Sequence, residues 1–251
     1  MGKKSEPSEH IDLILDDWPY DPDAVSVRMV HGRDGRELIQ MRIEMGLLQL
    51  ETSGRPDGEK PNGADSYFHY LQEDTAQKGG DYEFNLEECA ECDREFVQYY
   101  HRRICWLAMR EFRKAVLDAD HTLRLMDLCR EHSPDEDWTI SHEQYRPFVL
   151  FHRIQADALA ELDQNGPEMA VSAVNRGLNQ MRQVFEDHGT DLAFDESELV
   201  ERLNEFRETL REKFAVGKTL NEQLAEAIAT EEYEKAAKIR DKIQAKQKKD
   251  V

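Results

Sequence analysis

The end of the chain carries two apolar patterns of helical period, separated by a short break. Thr219 and Glu222 form a capping-box signature at the start of the first pattern. The apolar residues that follow recur at helical spacing: Leu220, Leu224, Ala227 and Ile228. We expect a second helix to begin near Thr230 as its N-cap, with glutamates in its first turns and lysines toward its end. Because adjacent Ala236 and Ala237 add no bulk, the run predicts two short helices packed closely as a hairpin.

This run resembles the UVR motif, a docking element at the end of the excision-repair subunit UvrB, inside UvrC, and in ClpC-type ATPases and their regulators. The residues that carry the resemblance lie in both helices: Leu224, Tyr233, Glu234, Ala236, Ala237, Arg240, Asp241 and Ile243. In the family, the aromatic at the start of the second helix and the small and ionic residues after it lie at helix–helix contacts. The resemblance therefore implies partner binding by these residues and by Ile228.

A hairpin of about 30 residues buries too little apolar surface to be firmly stable alone. It gains stability either by packing onto its own chain or by docking onto a partner that supplies the missing apolar face. The resemblance favours docking, onto a UVR-motif protein of the UvrB/UvrC or ClpC type or onto a second copy of the chain. An ordinary C-terminal helix pair folded back on the body is the alternative.

Composition indicates a soluble protein and no membrane contact. Charged residues make up 34% of the 251 residues, and the mean hydropathy is -0.78. No apolar run approaches the roughly 20 residues that a membrane span requires, and the first ten residues are too polar for a signal peptide. We therefore expect a cytoplasmic protein with a disordered N-terminus over residues 1–10.

The formal net charge of -20 argues against nucleic acid lying along the whole surface. Nearly all the negative charge lies upstream of Lys218, however, and the C-terminal tail is rich in lysine. Weak contact of Lys246, Lys248 and Lys249 with nucleic acid is therefore an alternative, in which the chain is a DNA-repair accessory. A solvated helix end is the favoured interpretation of these lysines.

The N-terminal region alternates apolar and polar residues, as strands do. Residues 26–30 and 39–45 flank a turn-forming Gly32–Gly35 tetrapeptide, which predicts a β-hairpin. Gly46 is expected to act as a bulge or a bend, after which Leu47, Leu48 and Leu50 continue the strand, and a helix is expected near Tyr67. The loop at Arg55 is rich in turn residues and is a further candidate site, although ordinary connections share this composition. Two strands are marginal alone, so this unit must pack on the helical region.

From about Leu86 to Phe185 the apolar residues recur at helical spacing. Two stretches place small residues where a neighbouring helix would cross: Ala115 and Ala119, and Ala170 and Gly177. Both resemble the second helix of a tetratricopeptide-type hairpin, which implies a scaffold or a peptide-binding groove. The stripe from Leu199 to Phe214 predicts one more core helix, with a dimerising coiled coil as the alternative.

Metal or thiol chemistry is the remaining alternative. Cys89 and Cys92 form a CxxC, but a structural zinc needs two further ligands with local spacing, and Cys105 and Cys129 are isolated. Cys89 also falls on one face of a helix, which favours a small core residue. Asp118 and His121 alone show carboxylate–histidine spacing. Phosphate loops, nucleophile elbows and dinucleotide fingerprints are absent from the sequence.

The sequence thus predicts a mainly α protein in four parts. These are a disordered start (1–10), a small α+β unit with a β-hairpin (11–85), a helical body (86–216), and the UVR-like hairpin with its basic tail (217–251). We expect a non-catalytic adaptor without a cofactor, which binds partners through the hairpin.

Overall fold

The computed structural model describes residues 10–79, 81–187, 189 and 191–247. The prediction of disorder over residues 1–10 therefore falls outside the described residues, except at His10. Lys248 and Lys249 of the basic tail also lie outside them. The described chain is mainly helical and has a small three-stranded antiparallel sheet near its N-terminus, which confirms the predicted fold class. Contacts group the chain into two compact units, Met1–Arg153 and Ile154–Val251, while the four-part division stays a prediction.

Unit 1 carries one short helix, then the sheet, and continues as helices. Its elements are α1 (Asp12–Asp17), β1 (Val27–His31), β2 (Glu37–Ile43), β3 (Gly46–Glu51), α2 (Tyr67–Lys78), α3 (Leu86–Ala108), α4 (Phe112–Glu131), α5 (Glu136–Glu143) and the first half of α6 (Arg146–Asn165). Asn85 caps α3 through a capping box with Glu88. None of the helices in the described ranges is both long enough and apolar enough to cross a membrane.

The sheet corrects one sequence-based expectation. Gly46 is not a bulge in a continuing strand, because the chain reverses at Glu44 and Met45 and Gly46 opens β3, paired with Ile43. The buried Arg42 guanidinium donates to the carbonyl oxygens of Ile43 and Gly46, the latter at 2.8 Å. A local side-chain interaction thus stabilises a reversal that lacks a glycine-rich turn. The predicted hairpin of β1 and β2 is confirmed.

The sheet packs on α3 through arginine and tyrosine side chains. Arg102 Nη1 donates to the carbonyl oxygens of Glu51 at 3.2 Å and Gly54 at 2.7 Å. Tyr99 Oη donates to the Gly54 carbonyl oxygen at 3.2 Å. These bonds fix the end of β3 and the following loop against the helix. The expectation that the strands need helical support is confirmed.

In the described ranges, unit 2 contains the second half of α6 and five further helices. They are α7 (Pro167–Asp187), α8 (Asp191–Asp195), α9 (Glu198–Phe214), α10 (Leu220–Ala229) and α11 (Tyr233–Gln247). The small residues expected at helix crossings are buried, and at Gly177 an added Cβ would lie 2.3 Å from Ile154 Cγ1. α6 and α7 therefore approach closely at this glycine. The chain shows helical hairpins where we expected them, while their tetratricopeptide-type relationship stays a prediction.

Helix α9 is the expected apolar stripe. Val200, Leu203 and Leu210 are buried, and Phe214 is partly exposed at the end of the helix. α7 and α9 contact one another, so the buried stripe belongs to the core of unit 2. This placement confirms the core-helix interpretation of the stripe. Ala215 ends the helix in the left-handed conformation at φ 54°.

Candidate docking site

Helix α10 begins where the capping box predicts. Thr219 Oγ1 accepts a hydrogen bond from the Glu222 amide at 3.3 Å, and Glu222 Oε2 accepts from the Thr219 amide at 2.7 Å. Two N–H groups that a helix start leaves unpaired are therefore satisfied by side chains. The start of the candidate docking hairpin is thus determined by its local sequence.

The reversal between α10 and α11 differs from the prediction. Thr230 ends α10 and is not the N-cap of α11, and its hydroxyl donates to the Glu226 carbonyl oxygen at 2.9 Å. Glu231 is left-handed at φ 58°, with its amide bonded to the Ile228 carbonyl oxygen at 3.1 Å. The Glu232 amide donates to the Ala227 carbonyl oxygen at 2.7 Å. This pair of bonds is a Schellman motif, which ends α10 before α11 begins.

The hairpin has a small core of its own. Ala227 of α10 is buried against Ala236 and Ile239 of α11, with Leu220, Leu224 and Ile243 partly buried beside them. Two alanines at the centre allow the helix backbones to approach closely. Predicted contact residues Ala236, Leu224 and Ile243 therefore hold the two helices together in the described chain.

The other predicted contact residues lie on the outside of the hairpin. Ile228 is 53% exposed and Tyr233 is 66% exposed, one on each side of the reversal. Glu234, Arg240 and Asp241 are exposed, and Ala237 is half-buried. Tyr233, Ala237, Arg240 and Asp241 share one side of α11 by helical spacing. The hairpin thus presents apolar residues at its turn and ionic residues along one helix.

An ion pair ties the hairpin to the preceding helix. Arg211 of α9 pairs with Glu222 of α10 and also donates to Glu208 at 3.0 Å. Burial favours the neutral form of Glu222, but hydrogen bonds from Arg211 and Thr219 outweigh burial and lower its pKa. Glu222 is therefore ionised at neutral pH, and it serves both the helix cap and the ion pair.

Clefts lie between the start of the hairpin and the rest of unit 2. One of about 1040 Å³ lies between α7, α9 and α10, with Arg176, Arg207 and Asn221 among its lining residues. Another of about 510 Å³ lies between the start of α7 and the residues from Val216 to Gln223. The hairpin therefore does not bury its outer apolar residues against the unit that carries it.

Comparison with known families identifies this hairpin. Residues 218–249 match the family model described as the UvrB/uvrC motif. The chain carries a UVR motif. The matched residues cover α10, the reversal and α11, so the match and the hairpin geometry define the same element. Comparison of the chain with curated proteins and with solved structures gives no significant match.

The candidate thiol site lies far along the chain from the UVR hairpin, in the core of unit 1. Cys89, Cys92 and Cys129 are buried in one cluster with Phe68 and Leu125, which confirms Cys89 as a core residue. Burial raises the pKa of Cys89 to about 11, and a hydrogen bond with Cys129 together with burial raises the pKa of Cys92. The Cys89 and Cys92 thiols are therefore protonated at neutral pH, a state that favours neither metal binding nor nucleophilic attack.

Asp118 and His121 do not share a ligand. Asp118 forms a bidentate ion pair with Arg102 at 2.9 and 2.7 Å, and His121 Nε2 lies 2.8 Å from Glu95 Oε1. Within the described ranges, no group of three or more His, Cys, Asp or Glu side chains has a geometry suited to a metal ion. The carboxylate–histidine spacing of the sequence thus serves two separate structural contacts.

The Arg55 loop is a buried polar junction. Arg55 is 1% exposed and reaches Glu91 at 2.7 Å, Asp57 at 3.3 Å and Glu95 at 3.6 Å. Glu95 in turn accepts from the amides of Tyr67 and Phe68 and so caps α2. The loop therefore joins the sheet region to α2 and α3. The turn-rich composition of the loop could not indicate this role, because Glu91 and Glu95 come from a helix distant in sequence.

Sequence reasoning also missed the Arg211–Glu222 pair and the buried Arg103 of α3. Arg211 falls on the helix that precedes the hairpin, where an exposed arginine is the ordinary expectation. Arg102 and Arg103 stand together within a helix that is apolar on one face, and this is the one signal that could have found them. Lys and Arg are seldom fully buried without a partner.

Proposed function

We propose that the chain is a non-catalytic adaptor that docks through its UVR hairpin onto a UVR-containing partner or onto a second copy of itself. The observation that carries this proposal is the exposure of Ile228 and Tyr233 on a hairpin whose own core consists of two alanines and one isoleucine. The motif is associated with protein–protein and repair-related interaction, and UvrB-, UvrC- and ClpC-type proteins are the partners we propose to test.

The geometry suggests how docking would proceed. A partner hairpin can cover Ile228 and Tyr233 at the turn, while Arg240 and Asp241 offer ionic contacts of both signs along α11. Burying one large side chain of this kind contributes about 1.5–3 kcal/mol when it is taken fully from water. Ile228 and Tyr233 are each only about half available for burial, so together they supply roughly 1.5–3 kcal/mol, which corresponds to about tenfold to a hundredfold in affinity.

The test is a pull-down of purified UvrB-, UvrC- and ClpC-type proteins by the full chain. One variant ends after Val216 and lacks the hairpin, and a second carries Ile228→Ser with Tyr233→Ser. The matched control is Met45→Ser, because Met45 is 92% exposed in unit 1. We expect both hairpin variants to lose recovery and the control to keep it. Unchanged recovery by the truncated chain would count against the proposal.

Self-docking has its own readout. If a second copy is the partner, the full chain shows concentration-dependent dimers in sedimentation, and the double variant stays monomeric at the same concentrations. A monomeric full chain that still recovers a UVR protein assigns the hairpin to a heterologous partner. A dimer unaffected by loss of residues beyond Val216 would refute docking through the hairpin.

A second candidate function is a DNA-repair accessory that contacts nucleic acid weakly. Exposed Lys238, Arg240 and Lys242 on α11 favour it, together with the lysine-rich tail. The test measures polarisation of a labelled DNA duplex at increasing salt, with Lys246, Lys248 and Lys249 changed to Gln. We expect binding to fall steeply with salt and to be lost in the variant. No detectable binding at low salt would remove this candidate.

A further inference from the structure

An apolar groove crosses the surface of unit 1, distant in sequence from the UVR hairpin. Its volume is about 680 Å³, and residues of α3, α4, α5 and the start of α6 line it. Phe96, Val97 and Tyr100 form the α3 wall, while Met126, Tyr145 and Phe148 face them. All of these elements belong to unit 1, so the groove is complete within one unit.

The walls of the groove leave large apolar side chains in contact with water. Val97 is 54% exposed, Tyr100 is 37% exposed and Tyr145 is 56% exposed. Single exposed apolar residues are common, but a contiguous group with one concave face marks a binding surface. The groove is open to solvent along one side, so it lacks the enclosure that a small ligand needs to bury most of its surface.

A buried arginine lines the groove without an acidic partner. Arg103 is 1% exposed, and its guanidinium donates to Thr122 Oγ1 at 3.1 Å and to His152 Nδ1 at 3.4 Å. In the described chain no Asp or Glu forms an ion pair with it. Asp118 is close enough to act on its charge, but that carboxylate is held by Nε and Nη2 of Arg102. Asp93 also lines the groove, and its carboxylate accepts from Trp138 Nε1 at 3.2 Å and lies 2.8 Å from His142 Nε2.

The local charges therefore do not balance. Arg102 and Arg103 are both buried, and Asp118 compensates one of them. Burial lowers the pKa of Arg103 to about 10, which shows how strongly the surroundings disfavour its charge. A buried cation left without an anion is costly, and a carboxylate brought to it gains a charge-assisted hydrogen bond.

We propose that this groove binds a peptide segment of a partner protein in which apolar side chains flank one Asp or Glu whose carboxylate pairs with Arg103. The aromatic walls match the apolar side chains of such a segment, and the arginine matches its acid. An open groove suits a segment that remains attached to a larger partner, since one side of the segment can stay in water. This site is independent of the docking proposed for the UVR hairpin.

The experiment uses the full chain and labelled synthetic peptides. Each peptide carries Phe and Leu on both sides of a central Asp, and its matched partner carries Asn at that position. Fluorescence polarisation measures both affinities. We expect the Asp peptides to bind at least about tenfold more tightly than the Asn peptides, as a hydrogen bond to a charged group implies.

Three variants locate the binding. Arg103→Met replaces the guanidinium by an apolar side chain of similar reach, and it should abolish the preference for Asp over Asn. Val97→Gln changes an exposed wall residue, so it leaves the fold intact and should weaken all the peptides. Leu117→Gln is the matched control, because Leu117 is 67% exposed on α4 and does not line the groove. We expect the control to bind as the unchanged chain does.

Three results would overturn the inference. The first is equal affinity for Asp and Asn peptides, and the second is peptide binding that Val97→Gln leaves unchanged. The third is protection of the chain by laurate in thermal unfolding when no peptide binds, since the occupant would then be a small amphiphile. If Arg103→Met fails to fold, Val97→Gln and the Asp–Asn comparison in the unchanged chain still decide the question.

Discussion

Replacement of Glu95 by Gln should destabilise unit 1 substantially. The Glu95 carboxylate is fully buried and accepts from the Tyr67 amide at 2.7 Å and the Phe68 amide at 2.9 Å. It also contacts His121 at 2.8 Å and Arg55 at 3.6 Å. A glutamine keeps the volume but brings an NH₂ group against one pair of donors and removes the charge that faces Arg55.

The expected magnitude follows from these contacts. Breaking a buried charge pair by removing one partner costs about 3–5 kcal/mol. Because the glutamine retains one acceptor oxygen, we expect about 2–3 kcal/mol for Glu95→Gln. For a unit of this size that loss lowers the midpoint of thermal unfolding by roughly 5–10 °C.

The assay can isolate unit 1. Trp18, Trp106 and Trp138 all lie in this unit, so tryptophan fluorescence during urea unfolding reports on unit 1 and not on unit 2. The matched control is Glu131→Gln, because Glu131 is exposed in the last turn of α4, and its cost should stay within about 0.5 kcal/mol. Equal unfolding free energies for Glu95→Gln and the control would refute the argument.

The pH dependence supplies a second test of the same carboxylate. Burial opposes ionisation of Glu95, but hydrogen bonds with His121 and with the Phe68 and Tyr67 amides outweigh it and lower its pKa. A group whose folded-state pKa is lowered stabilises the protein above its unfolded pKa, and this contribution disappears as the pH falls through the folded value. The difference between the unchanged chain and Glu95→Gln should therefore be largest at neutral pH and shrink in acid.

Three further predictions follow from the described geometry. Glu231→Gly should stabilise the hairpin by about 1 kcal/mol because glycine adopts the left-handed conformation without strain. The control Ala229→Gly, in α10, should cost about 1 kcal/mol. Amide hydrogen exchange of α10 measures both changes. Gly177→Ala should cost about 1–3 kcal/mol in chemical unfolding because its Cβ would collide with Ile154, and Ile154→Ala, which removes all three contacted carbons, should cost less in the Gly177→Ala chain than in the unchanged chain. The four cysteines, all buried, should react slowly with a thiol reagent in the native chain and rapidly in denaturant.

Local signals predicted the parts of the fold that local interactions determine. The capping box at Thr219 gave the start of α10 correctly, since both of its hydrogen bonds lie within four residues. The prediction of Thr230 as the N-cap of α11 was wrong because threonine is suited to either side of a helix boundary. The residue that adopts the left-handed conformation after α10 is Glu231, and a glutamate does not indicate that conformation as a glycine would. The prediction that the strand continues through Gly46 was wrong because the chain turns there. Arg42, two residues before that turn, stabilises it by donating to carbonyl oxygens of the turn.

The candidate sites also differ in how far the sequence could predict them. The UVR hairpin could be recognised from sequence because its helices are contiguous and its core residues recur at regular spacing. The groove at Arg103 could not, because Val97 of α3, Thr122 of α4 and Tyr145 of the turn between α5 and α6 come together only when these elements pack. The division of the predicted contact residues into inner and outer ones also required the structure. Spacing places Ala236 and Ala237 side by side, but the structure buries Ala236 and leaves Ala237 half covered.

The alanine seam between α10 and α11 has a consequence for how this sequence can vary. Where Ala227 meets Ala236, any larger side chain would force the two backbones apart and break the close fit along their whole length. Outside the seam, Glu226 and Lys238 face water and can be exchanged for most polar residues. In saturation mutagenesis of the hairpin, positions 227 and 236 should therefore tolerate almost no substitution, while exposed positions such as 226 and 238 should tolerate most polar residues.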